Sequence, residues 1–288
     1  MRINLSADKK LKVIYADARR GDLKKRYRAH FIYFTILVLL IFSACRSHSN
    51  KGCVPAEHPT GSSAAADSPI PILLFDGTGT SPCDVVAIET ILDNSHLDYS
   101  TTNSSQLNRM NESQIRKYRL LIFPGGNFID MGNSLTKATA TNIHNAVHDG
   151  LNYLGICAGG FLAGNSAYYN GFNLASGARF GFYSAEEKGI HKEAVPVAIA
   201  GGLIQDHYWE DGPQFTGWGL VVAKYPDGTP AIAEGAPGSG WVILTGIHAE
   251  APESWQQGIT FGTPAATDNE YAAALVRAAL NRVSLPHY

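Results

Sequence analysis

A cysteine between two glycines, directly after an apolar run, is the feature that most limits the possible fold. Asn152-Tyr-Leu-Gly-Ile156 leads into Cys157-Ala-Gly159 with no loop between them. This pattern predicts a strand that turns sharply into a helix, because Gly155 and Gly159 let the backbone approach closely around the corner residue. A thiol at such a corner points away from the sheet, and the N-terminus of the following helix favours its thiolate form. The segment therefore predicts an α/β fold that presents Cys157 as a nucleophile.

Apolar runs alternate with helical patterns before and after this segment. We expect strands at 71–75, 97–102, 118–123 and 152–156, and helices at 84–93 and 134–149. Short buried strands that alternate with helices predict a mainly parallel sheet covered on both faces. Closely spaced runs at 195–199, 219–225, 230–233 and 241–247 predict an added antiparallel β segment, and 270–283 predicts a closing helix.

The N-terminal 45 residues have the pattern of a segment that directs export. Residues 31–44 form an uncharged run of 14 residues, preceded by basic residues at 24–28 and followed by Cys45. The run is short for a membrane span of about 20 residues and suits a signal peptide. Three alternatives stay open: a lipoprotein signal with lipidation of Cys45, an uncleaved anchor, or neither. The first two predict a bacterial cell-envelope location, facing the periplasm or exterior.

Residues 46–69 are rich in Ser, Ala, Pro and Gly, so we interpret them as a flexible linker before a domain at 70–288. Lys and Arg number 10 in residues 1–44 against 3 Asp and Glu, which leaves 13 against 22 in the rest of the chain. An acidic folded part argues against nucleic acid as a partner. The expected partners are a small-molecule or peptide-like substrate and the membrane; a protein partner is unknown.

A cysteine nucleophile needs a base, and His248 is the best placed of the histidines. It follows the run 241–247, so it lies at a strand end like Cys157. Residues i and i+2 of an extended chain point the same way, so Glu250 can hold one ring nitrogen while the other faces the thiol. The oxyanion of acyl transfer needs backbone donors, which we expect from Ala158 and Gly126.

Together these residues resemble the class I glutamine amidotransferase-like superfamily. Three further segments make the chain most similar to its biotin–protein ligase N-terminal domain family: 75–79 with Cys83, 208–215, and 238–250. The resemblance implies a flavodoxin-like three-layer sandwich with a catalytic triad of Cys157, His248 and Glu250. It also places Gly126 and Ala158 in the oxyanion hole.

Several other residues are expected near this site. The possible pocket residues are Gly125, Asp76, Gly77, Cys83, Tyr208, Trp209 and Glu210. Cys83 has two open alternatives, a disulfide with Cys53 or a place near the active site. We expect no cofactor and no metal site, although His144 and His148 are spaced like ligands on a helix.

The leading hypothesis is an envelope-anchored cysteine hydrolase that acts on an amide or related acyl bond. Glutamine-using amidotransferases typically carry Gly-His-Gln where this chain has Gly159-Gly-Phe161, so a glutaminase is doubtful. A ligand-binding module that keeps the fold without turnover, and a structural lipoprotein, are the alternatives. Nothing in the sequence resembles the glycine- and arginine-rich loop of biotin ligases, so we expect no biotin ligase activity.

Overall fold

The computed structural model describes residues 70–288, and the predictions for 1–45 and 46–69 fall outside them. The strands are β1 (Ile72–Phe75), β2 (Tyr99–Thr102), β3 (Leu120–Phe123), β4 (Asn152–Ile156), β5 (Arg179–Phe182), β6 (Lys192–Ile199), β7 (Leu203–Glu210), β8 (Pro213–Thr216), β9 (Leu220–Lys224), β10 (Pro230–Gly235) and β11 (Val242–Thr245). The helices are α1 (Pro82–Asn94), α2 (Ser104–Leu107), α3 (Glu112–Ile115), α4 (Phe128–Ser134), α5 (Lys137–His148), α6 (Ala158–Leu162) and α7 (Ala265–Asn281), with 3-10 turns at Glu186–Lys188 and Glu253–Gln256.

Nine of the strands form one sheet in the order β2-β1-β3-β4-β11-β10-β9-β6-β7. The first five run parallel, and their order matches that of flavodoxin-like folds. The remaining four are joined to β11 and to one another by antiparallel pairing. The predicted α/β class, with a mainly parallel sheet and an added antiparallel segment, is confirmed.

Alternation along β1 shows why the sheet lies between two helical layers. Ile72 and Leu74 pack into one core cluster together with α1 and α7, while Leu73 and Phe75 pack into a second cluster with α5 and α6. All four β1 side chains are buried, as expected for a strand covered on both faces. The result is the predicted three-layer arrangement.

The predicted helix at 134–149 is confirmed as α5, but it begins at Lys137, and Ser134 instead ends α4. Residue Leu135 has an extended backbone, and the side chain of Thr136 then caps α5 by accepting a hydrogen bond from the Thr139 N–H. A side-chain oxygen at this position satisfies a backbone donor that has no partner within the helix. The break therefore follows from a capping residue inside a segment with helical periodicity.

None of the helices between residues 70 and 288 has both the length and the apolar character that crossing a membrane requires.

Candidate active site

Cys157 occupies a strained corner between β4 and α6. Its φ of 47° and ψ of −104° lie where non-glycine residues are rarely found. A Cβ on Gly155 would lie 2.5 Å from the Gly159 carbonyl oxygen, and one on Gly159 would lie 2.0 Å from that of Phe123. Both glycines are thus required by close backbone packing, and together they hold Cys157 at the carboxyl edge of the parallel strands.

The thiol of Cys157 is free and nearly buried, with the residue 7% exposed. Its sulfur lies 3.6 Å from the carbonyl oxygen of Glu210, at the end of β7. A predicted pocket residue therefore contacts the nucleophile through its backbone. Access to the sulfur is narrow in this conformation.

His248 follows β11 and is held from two directions. Its backbone N–H donates to the Tyr208 carbonyl oxygen at 2.8 Å, which joins the residue to β7. Its Nδ1 lies 2.7 Å from Glu250 Oε1, the contact that the i, i+2 spacing predicts. The rings of Tyr208 and Trp255 pack against the imidazole, with centroids 5.9 and 5.8 Å away.

A second carboxylate approaches the same ring nitrogen. Asp84 Oδ2, from the first turn of α1, lies 3.0 Å from His248 Nδ1. Sequence reasoning did not include this residue, because an acidic side chain in a first helical turn normally reflects the helix dipole. Its only sequence signal is its position just after the predicted first strand, on the edge where Cys157 and His248 also lie.

Charge governs the protonation of this cluster. Burial opposes protonation of His248, but the negative charges of Glu250, Cys157 and Asp84 outweigh it and raise the pKa of His248 well above its usual value. Burial, followed by the charge of Asp84, raises the pKa of Glu250. The cluster therefore favours the protonated form of the His248 ring.

Gly125 and Gly126 lie in the loop after β3. A Cβ on Gly125 would lie 2.3 Å from Asp84 Oδ2 and 2.6 Å from His248 Cε1, so the loop backbone packs directly on the buried cluster. Gly126 has a φ of +141°. Within residues 70–288, neither the Gly126 N–H nor the Ala158 N–H donates a hydrogen bond. Both expected oxyanion donors are therefore available.

The other predicted pocket residues are divided between the site and its surroundings. Tyr208 contacts His248, whereas Trp209, its neighbour on β7, points to the opposite face and is 0% exposed in the core. Trp209 packs edge-on against Tyr183, in the same apolar cluster as Cys157. Asp76 and Gly77 lie toward β2, next to Thr101 and Ser104 respectively.

Cys83 is disulfide-bonded and directly precedes Asp84. The alternative that pairs it with Cys53 falls on a residue outside the described part of the chain, as does the predicted lipidation of Cys45.

Within residues 70–288, one group of three or more His, Cys, Asp or Glu side chains is close enough to hold a metal ion. It consists of Asp84, His248 and Glu250, whose ligand-type atoms all lie within 4.8 Å of one another. Both carboxylates are directed at one nitrogen, which carries a single proton, so we assign the group to hydrogen bonding. His144 and His148 have ring centroids 4.4 Å apart, and His144 Nδ1 lies 2.9 Å from the Phe172 carbonyl oxygen.

Three solved structures illustrate what the fold resembles. PurLQS from Thermotoga maritima is 16% identical with a TM-score of 0.48, over 75% of this chain and 100% of the other. A glutamine amidotransferase from the same organism is 12% identical with a TM-score of 0.49, over 75% and 98%. A ThuA-like protein from Bacteroides uniformis is 12% identical with a TM-score of 0.46, over 74% and 92%.

No curated protein matches the chain. A family model does: the family described as biotin-protein ligase, N terminal, matches residues 70–190, which include Cys157 and the loop after β3 but not His248 or Glu250. Over residues 70–190, the predicted similarity to the biotin–protein ligase N-terminal family is therefore confirmed.

Proposed function

We propose that this protein is a cysteine hydrolase of the amidotransferase-like type, which cleaves an amide or related acyl bond. The observation that carries the proposal is the strained corner at Cys157, because backbone strain persists only where the surrounding structure imposes it and is concentrated at functional sites. The ring of His248, oriented by Glu250 at 2.7 Å, supplies the base that a thiol nucleophile needs.

The reaction proceeds in two halves. His248 holds the proton of the Cys157 thiol, so the thiolate sulfur forms a bond to the carbonyl carbon, and the N–H groups of Gly126 and Ala158 donate to the resulting oxyanion. His248 gives its proton to the leaving nitrogen as the carbon–nitrogen bond breaks, which leaves a thioester. Water then attacks the thioester carbon, His248 takes its proton, and the carbon–sulfur bond breaks to release the acid and the Cys157 thiolate, which restores the starting state.

Trapping the thioester tests this proposal. The full-length protein is mixed with a set of activated acyl donors, such as p-nitrophenyl esters and acyl p-nitroanilides, and is analysed by mass spectrometry of the intact protein and its peptides. We expect an acyl group on Cys157 and turnover that Cys157→Ala abolishes. Acylation at other sites, or turnover that Cys157→Ala leaves unchanged, contradicts the proposal.

A ligand-binding module without turnover is the second candidate, and two observations favour it. Cys157 is only 7% exposed as a residue. Phe161, at the place where glutamine-using relatives typically have Gln, stacks on Phe128 with ring centroids 4.4 Å apart. If amide compounds raise the melting temperature of wild type and Cys157→Ala equally, with no acylation in either, this candidate is favoured.

We also propose that the protein is anchored in the cell envelope through Cys45. The apolar run 31–44 behind basic residues supports this location. Metabolic labelling with a palmitate analogue is expected to mark the wild type and not Cys45→Ala. Equal labelling of the two proteins, or recovery of both in the cytosol, contradicts it.

A further inference from the structure

Asp84 carries a buried carboxyl group, and its position in α1 does not by itself explain the burial. It is 1% exposed, and its Oδ2 lies 3.0 Å from His248 Nδ1. Burying a carboxylate costs several kcal/mol unless it is paired, so the position needs a compensating contact. The pairing with His248 is that contact.

A capping role does not account for the carboxylate. Asp84 is the third residue of α1, where an acidic side chain often reaches back to the N–H of the capping residue. Here that N–H, on Ser81, already donates to the Gly125 carbonyl oxygen at 3.0 Å. The Ser81 hydroxyl in turn accepts from the Asp84 N–H. The N-terminus of α1 is thus capped without the Asp84 carboxylate.

The loop after β3 is built around this contact. Any side chain at Gly125 would collide with Asp84 Oδ2 at 2.3 Å and with His248 Cε1 at 2.6 Å. Gly125 therefore packs directly against Asp84 and His248. The residue that follows it, Gly126, carries the N–H that we expect to donate to the oxyanion. The geometry joins the orientation of the base to the position of that donor.

We propose that Asp84 is a second positioning residue for His248, which shares the Nδ1 proton with Glu250 and leaves Nε2 for the Cys157 thiol. This inference rests on the proposed function for its chemical meaning. The charged or titratable groups that face the ring are Asp84, Glu250, Cys157 and Tyr208. Asp84 comes from α1, whereas Glu250 follows His248 in the chain, so the ring is held by two separate elements.

Titration of the His248 ring by NMR tests the inference, because it needs no substrate and a merely structural residue would not change it. Asp84→Asn removes one negative charge beside the ring, so the pKa of His248 should fall by about one unit or more. Glu250→Gln should lower it as well. Asp98→Asn, which removes an exposed acid, is the matched control and should leave it unchanged.

The rate of acyl transfer to Cys157 gives a second readout, and we expect Asp84→Asn to reduce it about 10-fold or more, with a changed pH profile. A His248 titration that is the same in Asp84→Asn and wild type overturns the inference. Asp84→Ser takes the place of Asp84→Asn if the latter fails to fold. If the ring titration shifts as expected but no donor acylates Cys157, the proposed function fails while the Asp84–His248 coupling stands.

Discussion

Two histidines are buried beside carboxylates, one in each half of the sheet, and their surroundings give them opposite protonation states. His248 follows the parallel strands and has its pKa raised by Glu250, Cys157 and Asp84 against the effect of burial. His207 lies on β7 in the antiparallel half, is 0% exposed, and has its pKa lowered to about 3 by burial. Asp268 Oδ1 lies 3.3 Å from its Nδ1.

The difference shows that one nearby carboxylate does not make a buried histidine a base. Burial, and then the charge of Asp206, raises the pKa of Asp268 to about 8, so this carboxyl is itself largely protonated near neutral pH. A neutral acid stabilises no imidazolium. His207 and Asp268, 3.3 Å apart, therefore form a neutral pair. The lowered pKa of His207 and the raised pKa of Asp268 both favour the uncharged forms. Negative charge from several groups is what separates His248 from His207.

The largest expected effect comes from substituting each of the two histidines and comparing the losses in activity. His248→Gln removes the proposed base, so acyl transfer to Cys157 should fall by about 100-fold or more. His207→Gln keeps a polar side chain on the face of β7 opposite to Tyr208, which packs on His248, and should leave the rate within about threefold. Steady-state kinetics with the same acyl donors measures both variants. Equal losses in the two would show that the histidines act only through folding.

The next effect compares backbone packing in the parallel half with packing on β5, which pairs with β8 outside the nine-stranded sheet. Gly159→Ala places a methyl group 2.0 Å from the Phe123 carbonyl oxygen, so we expect a loss of about 1–3 kcal/mol in the free energy of unfolding. Gly181→Ala on β5 meets only the flexible end of Gln214 at 3.1 Å and serves as the control. Urea denaturation measures both. A tolerated Gly159→Ala would mean that the corner at Cys157 is not held by packing.

A smaller effect concerns the pH dependence of stability. The pKa of Asp268 is raised from 3.8 to about 8, so its contribution to stability is present below pH 4 and is lost as the pH rises to about 8. Asp268→Asn should remove this dependence. Between pH 6 and 8.5, the unfolding free energy of the wild type should therefore fall by about 1 kcal/mol or more relative to that of Asp268→Asn. A constant gap across this range contradicts the neutral pair.

The smallest expected effect concerns Tyr208, whose hydroxyl donates to Glu210 Oε2 at 2.5 Å beside the thiol. Tyr208→Phe removes this hydrogen bond but keeps the ring that packs on His248, so we expect a change of only about 0.5–1.5 kcal/mol in stability. Tyr208→Ala also removes the ring and should have a larger effect on acyl transfer. If Tyr208→Phe alone abolishes acyl transfer, the hydroxyl takes part in the chemistry.

The parallel half could be predicted from the sequence because most of its strands are apolar runs, with β2 as the polar exception. Leu120–Phe123 and Asn152–Ile156 are buried on both faces, so composition alone identifies them. The Cys157 corner was equally clear, since its two glycines are required by close contacts. The i, i+2 spacing of His248 and Glu250 also predicted their observed contact.

The antiparallel half was harder to predict, because polar side chains point inward there. On β7, Gln205 and His207 are buried on the same face as Trp209, so hydrophobicity does not mark the strand. The short helices α2 and α3 carry a signal that could have been used, a capping box of Asn103 with Gln106 and of Asn111 with Gln114. Asp84 was missed because its partner lies 164 positions away in the chain.

The turn before α1 and the loop after β3 are joined by backbone hydrogen bonds. Ser81 N–H donates to the Gly125 oxygen, Asn127 N–H donates to the Gly79 oxygen at 2.8 Å, and Thr80 and Gly126 form a β-bridge. A protein engineer who wishes to change specificity here therefore cannot graft a new loop at one of these places alone. Both segments have to be replaced together, as a matched set.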